Sequence, residues 1–309
     1  MGAIDVHNLS KSYGKVRALD GVSFSVERDE LFGLIGPDGA GKTTLFRLLT
    51  TLINPDEGSA TVYGCDIKKD YLAIRKRVGY MPGRFSLYPD LSVEENLQFF
   101  AALFGVTVEE SYDLIAPIYK QIEPFRTRRA GKLSGGMKQK LALSCALIHR
   151  PSVLFLDEPT TGVDAVSRSE FWDMLADLKE RGITILVSTP YMDEASRCDR
   201  VALCNEGRIL GIDTPTGIVQ GFDKALYGIS AKNMFALLER ARREEGVEDC
   251  YPFGEKHHLV ATEGFDKERF KAALADVEGV EIVSAEPTIE DMFIKLCLLY
   301  TSDAADEAR

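Results

Sequence analysis

The stretch Gly36-Pro37-Asp38-Gly39-Ala40-Gly41-Lys42-Thr43 sets three glycines, a lysine and a hydroxyl in the GxxxxGK[ST] spacing. It stands between an apolar run, Leu31 to Ile35, and a helical pattern that begins near Thr43. Glycines at these places let backbone N–H groups turn inward around a phosphate, and the start of the following helix adds partial positive charge. Lys42 would neutralise β and γ oxygens of a nucleotide, and Thr43 would hold Mg²⁺. The candidate nucleotide contacts are Gly36, Pro37, Asp38, Gly39, Ala40, Gly41, Lys42, Thr43 and Thr44. A second apolar run, Val153 to Leu156, ends in Asp157-Glu158. Carboxylates at the end of a buried strand are costly unless they meet a cation. Asp157 is therefore expected to hold Mg²⁺ through water, and Glu158 to orient or deprotonate an attacking water.

Two further places bear on the same chemistry. Leu133-Ser134-Gly135-Gly136-Met137 precedes an amphipathic helical pattern, so a hydroxyl and bare backbone N–H groups would stand at a helix start, a second anion site in one chain. The apolar run Ile183 to Val187 leads into Ser188-Thr189-Pro190-Tyr191. Ligands meet open α/β sheets at the carboxyl ends of strands, yet Pro190 offers neither a side-chain donor nor a backbone N–H. The six cysteines show no CxxC pair and several lie in apolar runs, which favours buried thiols over a metal site or disulfides. His257-His258 falls in the alternating stretch KHHLVAT and reads as part of a strand rather than a ligand pair.

Positioning these groups requires a particular order of elements. Before residue 220, β-rich runs (DVHNL, SFSVE, LFGLIG, SATVYG, RVGYM, VLFLD, ITILVS, RVALCN) alternate with helical patterns, an α/β arrangement. A Ser92-x-x-Glu95 capping box opens a helix-rich stretch running to about residue 150, a helical subdomain inserted before the VLFLD strand. From about Lys224 the order becomes strand, helix, strand, strand, helix, strand, which suggests a small ferredoxin-like α+β domain. A last helix is expected after a Thr288-x-x-Asp291 cap. The division is thus 1–222, with the helical subdomain at about 92–150, then 223–296. The end, CLLYTSDAADEAR (297–309), breaks the preceding pattern, fits a sequencing-adapter read-through when read back into codons, and is expected to be non-native.

With the LSGG stretch about twenty residues before the Asp-Glu strand, residues 3 to 220 resemble the nucleotide-binding subunit of ABC transporters. The resemblance implies a P-loop NTPase fold and a head-to-tail pair of domains, each ATP held between the phosphate loop of one and the LSGG of the other. Ser134, Gly135 and Gly136 would then face a partner's ATP. Tyr13 resembles the aromatic residue that stacks on adenine, and Asp164 the aspartate that contacts the dimer partner. Met137 replaces the usual glutamine of the signature. Where the family has a histidine that contacts the γ-phosphate, this chain has Pro190; where it has a glutamine near Mg²⁺ and the attacking water, this chain has Gly83. The resemblance implies that MgATP still binds while turnover at the site built on Lys42 is slow. A heterodimer follows as the favoured assembly over a homodimer, with this chain's Ser134-Gly135-Gly136 completing a fully equipped site on a different subunit.

The formal net charge of −11 opposes attraction to phosphate backbones, so no nucleic-acid partner is expected. No apolar run is long enough to cross a bilayer and the start lacks signal-peptide features, so the chain is expected in the cytosol. The resemblance implies docking on separate transmembrane permease subunits at the inner membrane face, through a surface near Arg84 to Leu97. The stretch FSLYPDLSVEENL resembles exporter subunits of the multidrug kind. The rival classes are a soluble ABC-type ATPase acting on ribosomes or DNA, and a regulatory ATP-binding subunit without turnover.

Overall fold

The computed structural model describes residues 2–307. Contacts divide the chain into two units, Met1–Pro215 and Thr216–Arg309. The first opens with β1 (Ile4–Tyr13), β2 (Val16–Val26), β3 (Leu31–Ile35), α1 (Lys42–Leu49), β4 (Glu57–Val62), β5 (Cys65–Asp66), α2 (Tyr71–Arg75) and β6 (Val78–Met81). Then come α3 (Val93–Phe104), α4 (Val108–Tyr119), α5 (Gly135–Leu147), β7 (Val153–Asp157), α6 (Ala165–Glu180), β8 (Thr184–Thr189), β9 (Arg200–Asn205) and β10 (Arg208–Asp213). From Pro215 the order is α7 (Pro215–Gln220), β11 (Ala225–Ser230), α8 (Met234–Ala241), β12 (Val247–Phe253), β13 (Lys256–Ala261), α9 (Lys267–Ala273), β14 (Glu281–Ser284) and α10 (Ile289–Glu307).

Two sheets build the first unit. One is antiparallel, in the order β2-β1-β4-β5; the other runs β10-β9-β3-β8-β7-β6, with β6, β7, β8, β3 and β9 parallel. Strands β3 and β7 are buried at every residue, as the continuous apolar runs LFGLI and VLFLD require when both faces of a parallel sheet are covered. Helix α1 lies against this sheet through Leu45, Phe46, Leu48 and Leu49, with Phe46 edge-on to Phe155 of β7 at 5.8 Å between ring centres. Burying each such side chain contributes on the order of 2 kcal/mol.

The inserted helices α3 and α4 carry reciprocal caps at their starts, and α5 a single serine cap. Ser92 accepts from Glu95 N while Glu95 accepts from Ser92 N, and Thr107 and Glu110 repeat the arrangement, a box that the sequence reading did not register. In the second unit the sheet order β12-β13-β11-β14, antiparallel throughout, is the split βαβ arrangement. The pattern over NMFALLERARREEG overestimates its helix: α8 stops at Ala241, before a polar run that ends at the left-handed Gly246. Where the sequence pattern breaks at Cys297, the backbone does not, for α10 continues to Glu307; Ala308 and Arg309 of that tail lie outside the described residues.

Candidate nucleotide site

Parallel pairing brings the chemistry-bearing residues to one edge. Ile35 pairs with Thr189, Asp157 with Ser188 and Met81 with Leu156, so the segments that follow β3, β8, β7 and β6 all emerge from the carboxyl edge of the sheet. Gly36 N donates to Thr189 O at 3.3 Å, which fixes the start of the phosphate loop against the end of β8. On β7, Phe155 and Asp157 share a face because strand side chains alternate. On α1, Lys42 lies four residues before Phe46 on the same helical face. The Phe46–Phe155 contact therefore brings Lys42 over the end of β7.

There Lys42 Nζ stands 3.4 Å from Glu158 Oε1 and donates to the carbonyls of Gly36 at 2.7 Å and Pro37 at 2.9 Å. The ammonium is buried, with 3% of its side chain exposed, and its charge is met by one carboxylate and two carbonyl dipoles. Asp157 is buried too, and Ser188 Oγ donates to its Oδ1 at 2.8 Å. Glu158 has a left-handed backbone, φ 50°, held by its N–H reaching both Ser188 O and Ser188 Oγ. A non-glycine residue in that region costs about 1–3 kcal/mol and persists only where its surroundings over-determine it. Gly41, at φ 94°, begins α1, and a Cβ there would stand 2.4 Å from the Ala18 carbonyl oxygen. Any side chain would push β2 away from the loop.

A cavity of about 680 Å³ opens over this loop, within the ~300–1,000 Å³ range of small-molecule sites. Its walls are Asp38 to Thr44, Glu158, Tyr13 and Ala18, together with Val16, Arg17 and Glu206. Ala18 and the last three escaped the sequence reading. Val16 and Tyr13, 67% and 45% exposed, flank the β1–β2 hairpin and offer an apolar rim; their spacing carries no motif. Glu206 sits in the turn before β10, an edge strand of half-buried and exposed residues that gives no alternating signal. Tyr80 on β6 was missed as well: burial first and the Asp157 charge second push its phenol up to about 12.

Not every expected residue joins the cavity. Gly36 and Pro37 turn their carbonyls to Lys42 instead, and Asp157 lies beneath the cavity wall. Ser134, Gly135 and Gly136 do not line it. Ser134 caps α5, accepting from Met137 N at 3.4 Å, and Ser134 and Gly135 are exposed. Nothing in the structure explains Met137. Asp164 caps α6 by accepting from Ser167 N at 3.0 Å, a bond that holds its carboxyl below the ordinary range. Gly83 packs on the carboxylate strand, for a Cβ there would stand 3.0 Å from Asp157 O. His257 and His258 are strand residues as expected, bonded to Met234 O at 2.8 Å and Asp291 Oδ1 at 2.6 Å. Cys145, Cys198, Cys204 and Cys250 are buried thiols, and burial pushes Cys204 up to about 12.

Residues 19–161 match the profile of the ABC transporter family. A probable multidrug ABC transporter ATP-binding protein of Escherichia coli, YbhF, is 41% identical over 214 residues, covering 69% of this chain but 37% of that protein. The chain thus spans well under half the length of that relative. The Nod factor export ATP-binding protein I of Burkholderia orbicola is 36% identical over 301 residues, 95% of this chain and 96% of that protein. Among solved structures, an ATP-binding subunit of an ABC transporter superposes with a TM-score of 0.65 at 29% identity, covering 71% of this chain and 93% of that one. The dimeric cassette MJ0796, bound to ADP and phosphate after hydrolysis, gives 0.62 at 25% identity over 68% of this chain and 98% of its own. Motifs, sheet order and relatives agree: the chain belongs to the ATP-binding family of ABC transporters.

Proposed function

We propose that the chain is the ATP-binding subunit of an ABC exporter, working at the cytoplasmic face of a membrane on separate permease subunits. The observation that carries the reading is the buried Lys42 ammonium facing Glu158 beneath a nucleotide-sized cavity. Relatives named for multidrug and Nod factor export support the outward direction. No helix among the described residues is long and apolar enough to cross a membrane.

In this reading Lys42 and the backbone N–H groups of residues 39 to 44 bind the phosphates, and Tyr13 with Val16 takes the base. Thr43 and Asp157 are hard oxygen donors suited to Mg²⁺. Bound Mg²⁺ would offset phosphate charge. Glu158 orients or deprotonates the attacking water; its left-handed backbone fixes the carboxylate at the loop before reaction. The exposed start of α5, Ser134-Gly135-Gly136, serves the ATP of a second ATPase subunit, and Asp164 meets that subunit.

Pro190 and Gly83 remove two polar contacts from this site. One such loss costs about 10² to 10³ in rate, and two need not add. The pair is therefore an asymmetric heterodimer in which the partner's site does most of the hydrolysis. Reconstituting the pair tests this: Lys42→Ala should reduce turnover less than the equivalent lysine change in the partner. A larger loss from Lys42→Ala would reverse the assignment.

A further inference from the structure

Glu194 lies four residues beyond Pro190, in the short 3-10 helix Met192–Arg197. It is 3% exposed, and both of its side-chain hydrogen bonds converge on one oxygen. Thr160 Oγ1 donates to Oε2 at 3.1 Å, and Thr189 Oγ1 donates to the same atom. Oε1 is buried with no hydrogen-bond partner. The cation facing it is Arg168 of α6, whose Nε is 3.8 Å away, about 1 Å too far for a charge-assisted hydrogen bond. Arg168 is shared, standing 3.6 Å from Asp193 Oδ2 and stacked over the Tyr191 ring at 5.0 Å.

The two threonines belong to two different segments that border the nucleotide site. Thr189 ends β8, accepts from Gly36 N through its carbonyl, and accepts from Tyr191 N through its hydroxyl. Thr160 is buried in the turn that joins Glu158 to Asp164, where Thr161 N donates to Glu158 O at 3.2 Å and Val163 N to Thr160 O at 3.2 Å. One carboxylate thus links the start of the phosphate loop to the turn carrying Glu158 and Asp164. Pro190, with no donor of its own, sits between two residues of this network. A buried carboxylate oxygen left without a partner is expensive.

We propose that Glu194 is a positioning residue for hydrolysis: through Thr160 and Thr189 it holds the Glu158–Asp164 turn in register with the phosphate loop, and its open oxygen accepts Arg168 when α6 moves on engagement of the partner subunit. This rests on the nucleotide-site reading above and assigns a role to a side chain that touches no substrate. Misplacing a reacting group by about 1 Å costs on the order of 10²-fold.

Single-turnover hydrolysis and MgATP affinity at the Lys42 site, measured on the same samples of the assembled transporter with the partner's own site inactivated, test it. Glu194→Gln should reduce the hydrolysis rate at least tenfold with affinity within about twofold, and Arg168→Gln should add little to that loss. Thr160→Val, which removes one donor and little volume, guards against a failure of Glu194→Gln to fold; it should reduce the rate in the same direction with affinity preserved. A folded Glu194→Gln or Thr160→Val protein that hydrolyses at the parental rate overturns the proposal, as does a loss that follows affinity or thermal stability alone. Normal MgATP binding by the parent separates either result from a failure of the nucleotide site itself.

Discussion

At two positions where the resemblance implies a histidine and a glutamine this chain has Pro190 and Gly83, and the two differ in what they leave behind. Pro190 removes a side-chain contact at a strand end whose neighbours, Thr189 and Tyr191, are already bonded to each other. Gly83 removes a side chain where the backbone has closed in, with room for a Cβ only 3.0 Å from Asp157 O. Restoring glutamine there must displace the carboxylate strand by a few tenths of an ångström; position 190 is only partly buried. Pro190→His should therefore raise turnover at the Lys42 site by about tenfold or more, and Gly83→Gln by less, as read by phosphate release from a pair whose partner site is inactivated. A larger gain from Gly83→Gln would contradict the packing argument. The sequence exposed the residues whose chemistry depends on adjacency: the glycine loop, the Asp157-Glu158 end, the Ser134 cap. It did not expose Tyr80, Glu206 or Glu194, because none carries a spacing of its own.

Elements were legible where one periodicity or one cap decides them. The continuous runs of β3 and β7, the Ser92 box of α3 and the Thr288 start of α10 all stand where the pattern puts them, whereas β10 and α2 are too short or too mixed in burial to announce themselves. The start of α10 also makes a measurable prediction. Asp291 accepts from Tyr251 OH at 2.7 Å, His258 Nδ1 at 2.6 Å, and Thr288 N and Oγ1, each at 2.7 Å. Burial alone would raise its carboxyl, but these bonds outweigh burial and hold it below the ordinary 3.8. A depressed carboxyl stabilises the fold above its unfolded value, and that contribution disappears as pH falls through the folded value. Between pH 7 and pH 3 the parent should lose more stability than Asp291→Asn, which itself costs about 1–3 kcal/mol at pH 7. Thermal unfolding at the two pH values measures both; equal acid sensitivity would show that Asp291 is not the group responsible.

At the scale of the whole molecule, the parallel sheet gathers four strand ends into one nucleotide edge while α5 carries its exposed, glycine-rich start elsewhere on the same unit. That separation is what a two-subunit site requires, and it follows from topology that the motif order along the chain only implies. The claim on which transport, asymmetry and the role of Glu194 all depend is that residues 36 to 44 bind the phosphates of MgATP. Equilibrium binding of MgATP to the purified full chain, compared with Lys42→Ala, tests it most directly. Losing a buried, charge-bearing contact of this kind costs about 2–5 kcal/mol, so affinity should fall by at least thirtyfold and depend on Mg²⁺. Undetectable binding by the parent, or equal affinity in the Lys42→Ala protein, would contradict it.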